Sequence, residues 1–405
     1  MTERIYYTDS ACRTFEARVA RSFEHEGRAA VTLDRTEFYP TSGGQPFDTG
    51  ALRDTASAAS IPVIETIDVG DEVVHIVGAP IAEGRTVQGE ISWDRRFDHT
   101  QQHSGQHVLS GAFERLTGNA TVSFHMGTET STIDLAREAT ADEITRAEDE
   151  ANRIVWEDRD VTIQFTSSAE AAALGLRKEP TRAGTLRLVE IADFDRSACG
   201  GTHVARTGSI GMIAVLGSER FKGASRITFV CGHRALRLLR TLRDAVAGSV
   251  RVLSVLPPEL PPAIERLQQE AKDQRKTIAR LQETLAAHEA AALLEGATTI
   301  GGVRMLVRVM PGWDAQGLKA LAAGATSQGA AIVALLTASM PAQVVIARSD
   351  DVKADAAALM RQVIERFGGK GGGKPDLAQG GGLAGDVRAI EWALSGLIED
   401  AIGGP

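Results

Sequence analysis

Hydrophobic and polar positions change period along the chain. Up to about residue 92 the period is two or the apolar runs are short. Phe15-Glu16-Ala17-Arg18-Val19 alternates, and residues 29–33 and 73–77 are brief apolar runs set off by Gly and Asp. Alternation puts successive side chains on opposite faces of a strand, so residues 1–92 are expected to form a small β-barrel-like or Greek-key module. Residues 93–247 mix the two periods. Strand-like stretches lie at 120–127, 130–135, 161–165, 186–191, 211–216 and 225–230. Helices are expected from 93, after Thr140-Ala141-Asp142-Glu143, which reads as a capping box, and from about 233. Helices against an antiparallel sheet make this an α+β core. A stiff linker follows at Pro257-Pro258-Glu259-Leu260-Pro261-Pro262. Then Ile264, Leu267, Ala271, Gln274, Ile278, Leu281, Leu285, His288 and Ala292 step by three and four, the register of a coiled coil within 248–296. From 297 to 405 strands at 303–309, 331–336 and 343–347 alternate with helices at 313–324, 351–367 and about 387–401, an α/β domain. The fold class is therefore multidomain α+β.

Composition narrows the class. A hydrophobic share of 43% over 405 residues is ordinary for a globular chain. The net charge of −9 means that a nucleic-acid partner must be met by local basic patches. One such concentration is Arg220, Lys222, Arg226, Arg234, Arg237, Arg240 and Arg243. Three cysteines, Cys12, Cys199 and Cys231, argue against a disulfide framework and for a reducing compartment. The first residues lack a signal-peptide pattern, and no apolar run is long enough to span a bilayer. The expected location is cytoplasmic, without membrane attachment.

The candidate chemistry begins with His99, His103 and His107, spaced by four within Asp98-His99-Thr100-Gln101-Gln102-His103-Ser104-Gly105-Gln106-His107. Residues four apart share a helix face, so two imidazoles can converge on one ion. Cys199-Gly200-Gly201-Thr202-His203 repeats the spacing with a thiol. Two histidines from the first stretch with Cys199 and His203 give a set that suits tetrahedral zinc. Thr36-Glu37-Phe38-Tyr39-Pro40-Thr41-Ser42-Gly43-Gly44-Gln45-Pro46-Phe47-Asp48 reads either as a hairpin turn or as a loop whose Gly43-Gly44 backbone can approach a ligand. In Phe367-Gly368-Gly369-Lys370-Gly371-Gly372-Gly373-Lys374-Pro375-Asp376, Lys370 and Lys374 sit among glycines whose N–H groups suit an anion or phosphate backbone; the alternative is a flexible linker, and a nucleotide P-loop is excluded by the missing Gly-Lys-Ser/Thr. Gly-x-Ser-x-Gly and His-Glu-x-x-His are both absent, so neither a covalent serine route nor a thermolysin-like protease is supported.

These stretches resemble one family. His103-Ser104-Gly105-Gln106-His107 and Cys199-Gly200-Gly201-Thr202-His203 are similar to the zinc motifs of the alanyl-tRNA synthetase editing domain. The loop from Phe38 to Gln45 resembles that domain's glycine-rich motif, and residues 368–376 resemble the synthetase's C-terminal, DHH-associated domain. The order is the family's and the likeness covers nearly the whole chain, starting at the barrel-like module, so it points to free-standing alanyl-tRNA editing proteins of the long AlaX type. Threonyl-tRNA synthetase carries a related module, and the C-terminal domain favours alanine. The resemblance implies one Zn(2+) per chain on His103, His107, Cys199 and His203. His99 falls outside the set, beside the ligands or on the surface. It implies hydrolysis of the ester of mischarged tRNA(Ala), chiefly Ser-tRNA(Ala) and also Gly-tRNA(Ala), in trans, with the C-terminal domain gripping the tRNA's outer corner. His125 and Gln45 are the candidates for catalytic positioning. Thr41, Ser42, Gly43 and Gly44 are those for substrate, with Asp195 placed to orient a ligand imidazole. Lys222, Arg226, Lys370 and Lys374 are the candidates for tRNA. The competing reading is a non-catalytic tRNA-binding protein with a structural zinc. A homodimer through 260–294 or the C-terminal domain, and an intramolecular pairing of the coiled coil, fit the heptads equally.

Overall fold

A computed structural model describes residues 1–177 and 184–403. The chain divides into two compact units, Met1–Gly248 and Ser249–Pro405. In the first, the early alternation becomes eight strands: β1 (Glu3–Arg4), β2 (Thr14–His25), β3 (Arg28–Leu33), β4 (Arg35–Thr36), β5 (Gly50–Asp54), β6 (Ser60–Val69), β7 (Glu72–Val77) and β8 (Thr86–Ile91). β1 and β4 pair in parallel; the other six close a barrel in the order β2-β3-β7-β6-β5-β8. Phe15, Ala17 and Val19 point inward while Glu16 and Arg18 face solvent, and the barrel fills with Leu33, Phe38, Leu52, Val63 and Val87.

The chain leaves β8 directly into α1 (Trp93–Thr117), followed by β9 (Thr121–Met126), β10 (Ser131–Leu135), α2 (Ala141–Trp156), β11 (Val161–Ser167), α3 (Ser168–Ala172), β12 (Thr185–Ile191), β13 (Asp195–Ala198), β14 (Ile213–Phe221), β15 (Ala224–Cys231) and α4 (Gly232–Leu253). The strands form a four-stranded sheet, β14-β15-β10-β9, and a three-stranded one, β11-β12-β13. α2 starts at the capping box: Thr140 Oγ1 accepts from the Glu143 amide at 3.2 Å, and the Glu143 carboxylate accepts from the Thr140 amide at 2.8 Å. Val108, Leu109 and Phe113 of α1 pack with Ile154 and Val155 of α2 over Ile133, Ile227 and Phe229 of the sheet. The barrel and this α+β core, expected as separate modules, belong to one unit.

The second unit holds α5 (Leu260–Leu293), β16 (Thr298–Ile300), β17 (Val303–Met310), α6 (Ala315–Thr326), β18 (Ala331–Thr337), β19 (Ala342–Arg348), α7 (Ala356–Phe367), β20 (Lys370–Gly373), β21 (Leu377–Leu383) and α8 (Val387–Gly403). Its sheet runs β16-β17-β18-β19-β21-β20, with β17 and β18 parallel. Ala331, Val333 and Leu335 face α6 and the end of α5, while Ile332, Ala334 and Leu336 face α7 and α8. Helices on both faces explain why β18 reads as an unbroken apolar run.

Two sequence expectations change here. The heptad register continues through Leu281, Leu285, His288 and Ala292, yet α5 buries Gln282, Ala286, Ala290 and Leu293. This face is one to two residues away from the predicted seam, and small residues let α6 approach: Ala290 Cβ lies 2.9 Å from where a side chain on Gly324 would start. Leu281 stays 59% exposed and Leu285 44%. The glycine-rich segment is not a loose linker. It forms the hairpin β20–β21 at the sheet edge, turned through Pro375-Asp376, with Lys370 and Lys374 exposed. No helix among the described residues is long and apolar enough to cross a membrane.

Candidate metal centre

α1 is the structural axis of the site. Every residue from His99 to Phe113 is buried, although most are polar. His103 and His107 lie one turn apart on the face turned toward the loop after β13, which brings in Cys199 and His203. One donor atom from each of the four lies within 4.8 Å of the others. Gly201 is required for this approach: a Cβ there would sit 2.1 Å from His103 Cε1.

The outer partners decide how the imidazoles point. His103 Nδ1 donates to Gln45 Oε1 at 2.8 Å, and His107 Nδ1 donates to Asp195 Oδ2 at 3.2 Å. Ser104 Oγ sits 3.2 Å from His203 Nδ1. With each Nδ1 occupied, the Nε2 atoms turn inward; those of His103 and His203 lie 3.3 and 3.4 Å from Cys199 Sγ. An acceptor on Nδ1 fixes the tautomer that leaves Nε2 a lone pair. Burial would raise the Cys199 thiol, but the imidazoles of His103 and His203 hold it well below the usual thiol range. Burial also lowers His107, yet the Asp195 carboxylate and the Cys199 sulfur outweigh it and lift the imidazole to about 9. Asp195, itself raised by burial, is brought down to about 2 by His107 and Arg177. Burial takes His203 to about 3. A thiolate among three imidazoles whose far nitrogens are tethered is a donor set that fits a divalent ion of zinc's preference.

The glycine-rich loop joins this site from the barrel side. Ser42 and Gln45 exchange backbone hydrogen bonds of 3.1 and 2.9 Å across Gly43 and Gly44, whose φ angles are +56° and +85°. It is a tight turn, and it also delivers a side chain: Gln45 Oε1 accepts from His103 and from the Thr202 amide at 3.1 Å, while its Nε2 donates to Thr202 Oγ1 at 2.9 Å. The loop is anchored from below by Arg96 of α1, which is fully buried with Glu37 at 3.0 Å and Asp48 at 2.5 Å.

Beside the four donors opens a cavity of about 210 Å³ bounded by Gly43, Gln106, Phe124, Arg177 and Gly200. Of the residues expected at the site, Gly43 lines it, and Gln45 and Asp195 stand behind the imidazoles. Thr41 is exposed, its hydroxyl accepting from the Phe47 amide at 3.2 Å. Ser42 borders a different depression with Arg4 and Asp68, and Gly44 joins β9 through its carbonyl. The cavity runs along Thr121–Phe124 and stops short of His125, which is exposed on β9. Lys222 is exposed at the β14–β15 turn, whereas Arg226 is paired with Asp134 at 2.7 Å. Neither bounds the cavity, and Lys370 and Lys374 belong to the other unit. Sequence reasoning missed Phe124, Gln106 and Arg177. None carries a local signal, although Phe124 lies next to the singled-out His125.

Three stretches match family descriptions: residues 2–95 the class II (A) tRNA synthetases, 186–228 the threonyl and alanyl tRNA synthetase second additional domain, and 302–400 the DHHA1 domain. The chain is 32% identical over 389 residues to the alanyl-tRNA editing protein AlaX-L of Pyrococcus horikoshii, covering 94% of each. It is 35% identical to an alanine–tRNA ligase of Methanoculleus marisnigri and 34% identical to one of Pyrococcus abyssi, over 97% and 98% of this chain. It spans only 42% and 43% of those ligases. A likeness running end to end in both partners is found with the editing protein, and the chain belongs to the AlaX-L family of alanyl-tRNA editing proteins.

Proposed function

We propose that this protein is an aminoacyl-tRNA deacylase that hydrolyses the ester of mischarged tRNA(Ala), chiefly Ser-tRNA(Ala) and also Gly-tRNA(Ala). The observation that carries the reading is the convergence of three tethered imidazoles and a thiolate, of which His103, His107 and Cys199 form part of the wall of a small cavity. His103, His107, Cys199 and His203 would hold zinc, which when bound polarises an oxygen or lowers the pKa of a water. The chain's own residues do the rest. Gln45 and Asp195 keep the imidazoles in one orientation, so the pocket is formed before the substrate arrives. Phe124 excludes water from one side. The Gly43 backbone, free of a Cβ, lets the acyl end approach, and Arg177, paired with Asp195 at 2.6 Å, holds that carboxylate beside the cavity. Exposed Lys222, with Lys370 and Lys374 on the glycine hairpin, is suited to tRNA phosphates. Rejection of alanine requires a polar group that pairs with the seryl hydroxyl and is left unpaired by a methyl; Gln106, Thr121, Ser123 and Ser197 on the cavity wall are the candidates for it.

One feature favours the second reading. Four protein donors satisfy a tetrahedral ion and describe a closed, structural site. Deacylation of Ser-, Gly- and Ala-tRNA(Ala) by fully metal-loaded protein separates the two. Hydrolysis of the first two with Ala-tRNA(Ala) spared is expected. Loaded protein that binds the tRNA and leaves all three esters intact would be a structural-zinc binding protein.

A further inference from the structure

α1, β9 and the glycine-rich loop do not end at the metal cavity. About one to two helical turns toward the start of α1 they frame a second hollow, of about 430 Å³, where the lining passes to His99, to Gly127 at the end of β9 and to Pro46 after the loop. The start of α4 closes it. Two long helices thus begin at one hollow, and both present the positive end of the backbone dipole.

Its charges favour an anion. Arg234 is cancelled by Asp98, with contacts of 2.9 and 2.7 Å. Arg95 donates its Nε to the Phe47 carbonyl at 2.9 Å, and Arg237 is exposed; neither meets a carboxylate among the described residues. Only Asp94 stands against them. The observation that points to a ligand is His99. It is 4% exposed and borders the hollow, and its buried Nδ1 has no hydrogen-bond partner among the described residues. Its neighbours Thr100, Gln101, Gln102 and His103 are all satisfied. A buried imidazole left unpaired is costly, and a bound acceptor would relieve it.

We propose that this hollow binds a backbone phosphate of the single-stranded acceptor end, upstream of the nucleotide that carries the ester. The inference rests on the deacylase reading for the direction of the strand. His99 and Arg95 lie four and eight residues before His103, about 6 and 12 Å along the helix. A strand running back along α1 from the metal site therefore passes His99 first and Arg95 next.

The test is anisotropy of a 5′-labelled five-nucleotide single-stranded RNA titrated with full-length, metal-loaded protein over a range of salt. Arg237→Ala should weaken binding about tenfold and reduce the slope of log K against log salt by about 0.7, one phosphate contact on a single strand. His99→Phe, which keeps the ring shape without the nitrogens, should weaken binding and leave the slope unchanged. Arg251→Ala, in the last turn of α4, should change neither. Metal content checks that each variant is folded, and the exposed Arg237 carries the test if His99→Phe is not. Wild-type affinity and slope in Arg237→Ala overturn the proposal, as does an equal loss in Arg251→Ala. Binding of inorganic phosphate at His99 with no affinity for the RNA overturns it as well. Deacylation is measured separately: protein that holds the strand in this way but spares the ester refutes the hydrolase and keeps the hollow.

Discussion

β18 and the middle of α1, from His99 to Phe113, are both buried, and they achieve it in opposite ways. β18 is covered on both faces by helices, and all seven residues, Ala331–Thr337, are buried with only Thr337 carrying a polar group. Along α1 the residues from His99 to Gln106 are also buried, but they are polar or glycine, and each side chain after His99 has its hydrogen bond. Gln102, for example, accepts from the Cys231 amide at 2.8 Å and donates to the Cys231 carbonyl at 3.0 Å. Burying apolar surface stabilises a fold by itself. Burying satisfied polar groups contributes little net stability and fixes geometry. The C-terminal sheet is thus built for stability and α1 for positioning.

Cys199→Ala tests this contrast most severely. It removes a donor from the α1 site, and metal content should fall to background. Deacylation should fall by more than the roughly 10–100-fold that loss of an outer partner costs. Retained stoichiometry by metal analysis would remove Cys199 from the ligand set. In the other region Leu335→Ala should destabilise the second unit by about 2–5 kcal/mol, the usual result of a leucine-sized cavity. Denaturant unfolding should register it while metal content stays at the wild-type value. Metal loss in Leu335→Ala would mean that the sheet also supports the site.

The same contrast explains what could be read from the sequence. Period two at Phe15, Ala17 and Val19, the capping box at Thr140, and the apolar run of β18 are local signals, and their elements lie where those signals put them. In α1 the metal pairing was visible as spacing, because His103 and His107 must share a face. The tethers were harder. Asp195 and Gln45 reach the imidazoles across 88 and 58 residues, a separation at which sequence carries no register. Asp195 was named from its chemistry, and Gln45, a candidate for catalytic positioning, holds His103. In α5 the alanines at 286 and 290 that α6 packs against carry no signal in the heptad pattern, while the seam residues Leu281 and Leu285 stay exposed.

A smaller effect sharpens the positioning claim. Asp195→Asn keeps the shape of the carboxylate but loses its charge, so its amide can present a donor to His107 Nδ1. Metal affinity is expected to fall about 10–100-fold, measured by competition with a chelator, with the unfolding midpoint of the second unit unchanged. Affinity equal to wild type would reduce Asp195 to a partner of Arg177.

A pH-dependent effect comes from the polar network where α1 meets the barrel. Arg96 is shared by two buried carboxylates, and Glu37 Oε2 and Asp48 Oδ1 have no partner. Burial pushes Glu37 up to about 8 despite Arg96, so the folded state retains a proton there that the unfolded chain releases near its ordinary value of 4.5. Between those two values the folded state binds more protons than the unfolded one. Stability from this residue is therefore complete below about 4.5 and declines as pH rises to about 8. The slope cannot exceed about 1.4 kcal/mol per pH unit. Glu37→Gln mimics the protonated acid. It should unfold like wild type at pH 5 and be the more stable of the two at pH 8, as read by urea unfolding at each pH. Parallel pH profiles for the two proteins would mean that Glu37 is ionised against Arg96 throughout, and that this end of α1 is held by charge rather than by a shared proton.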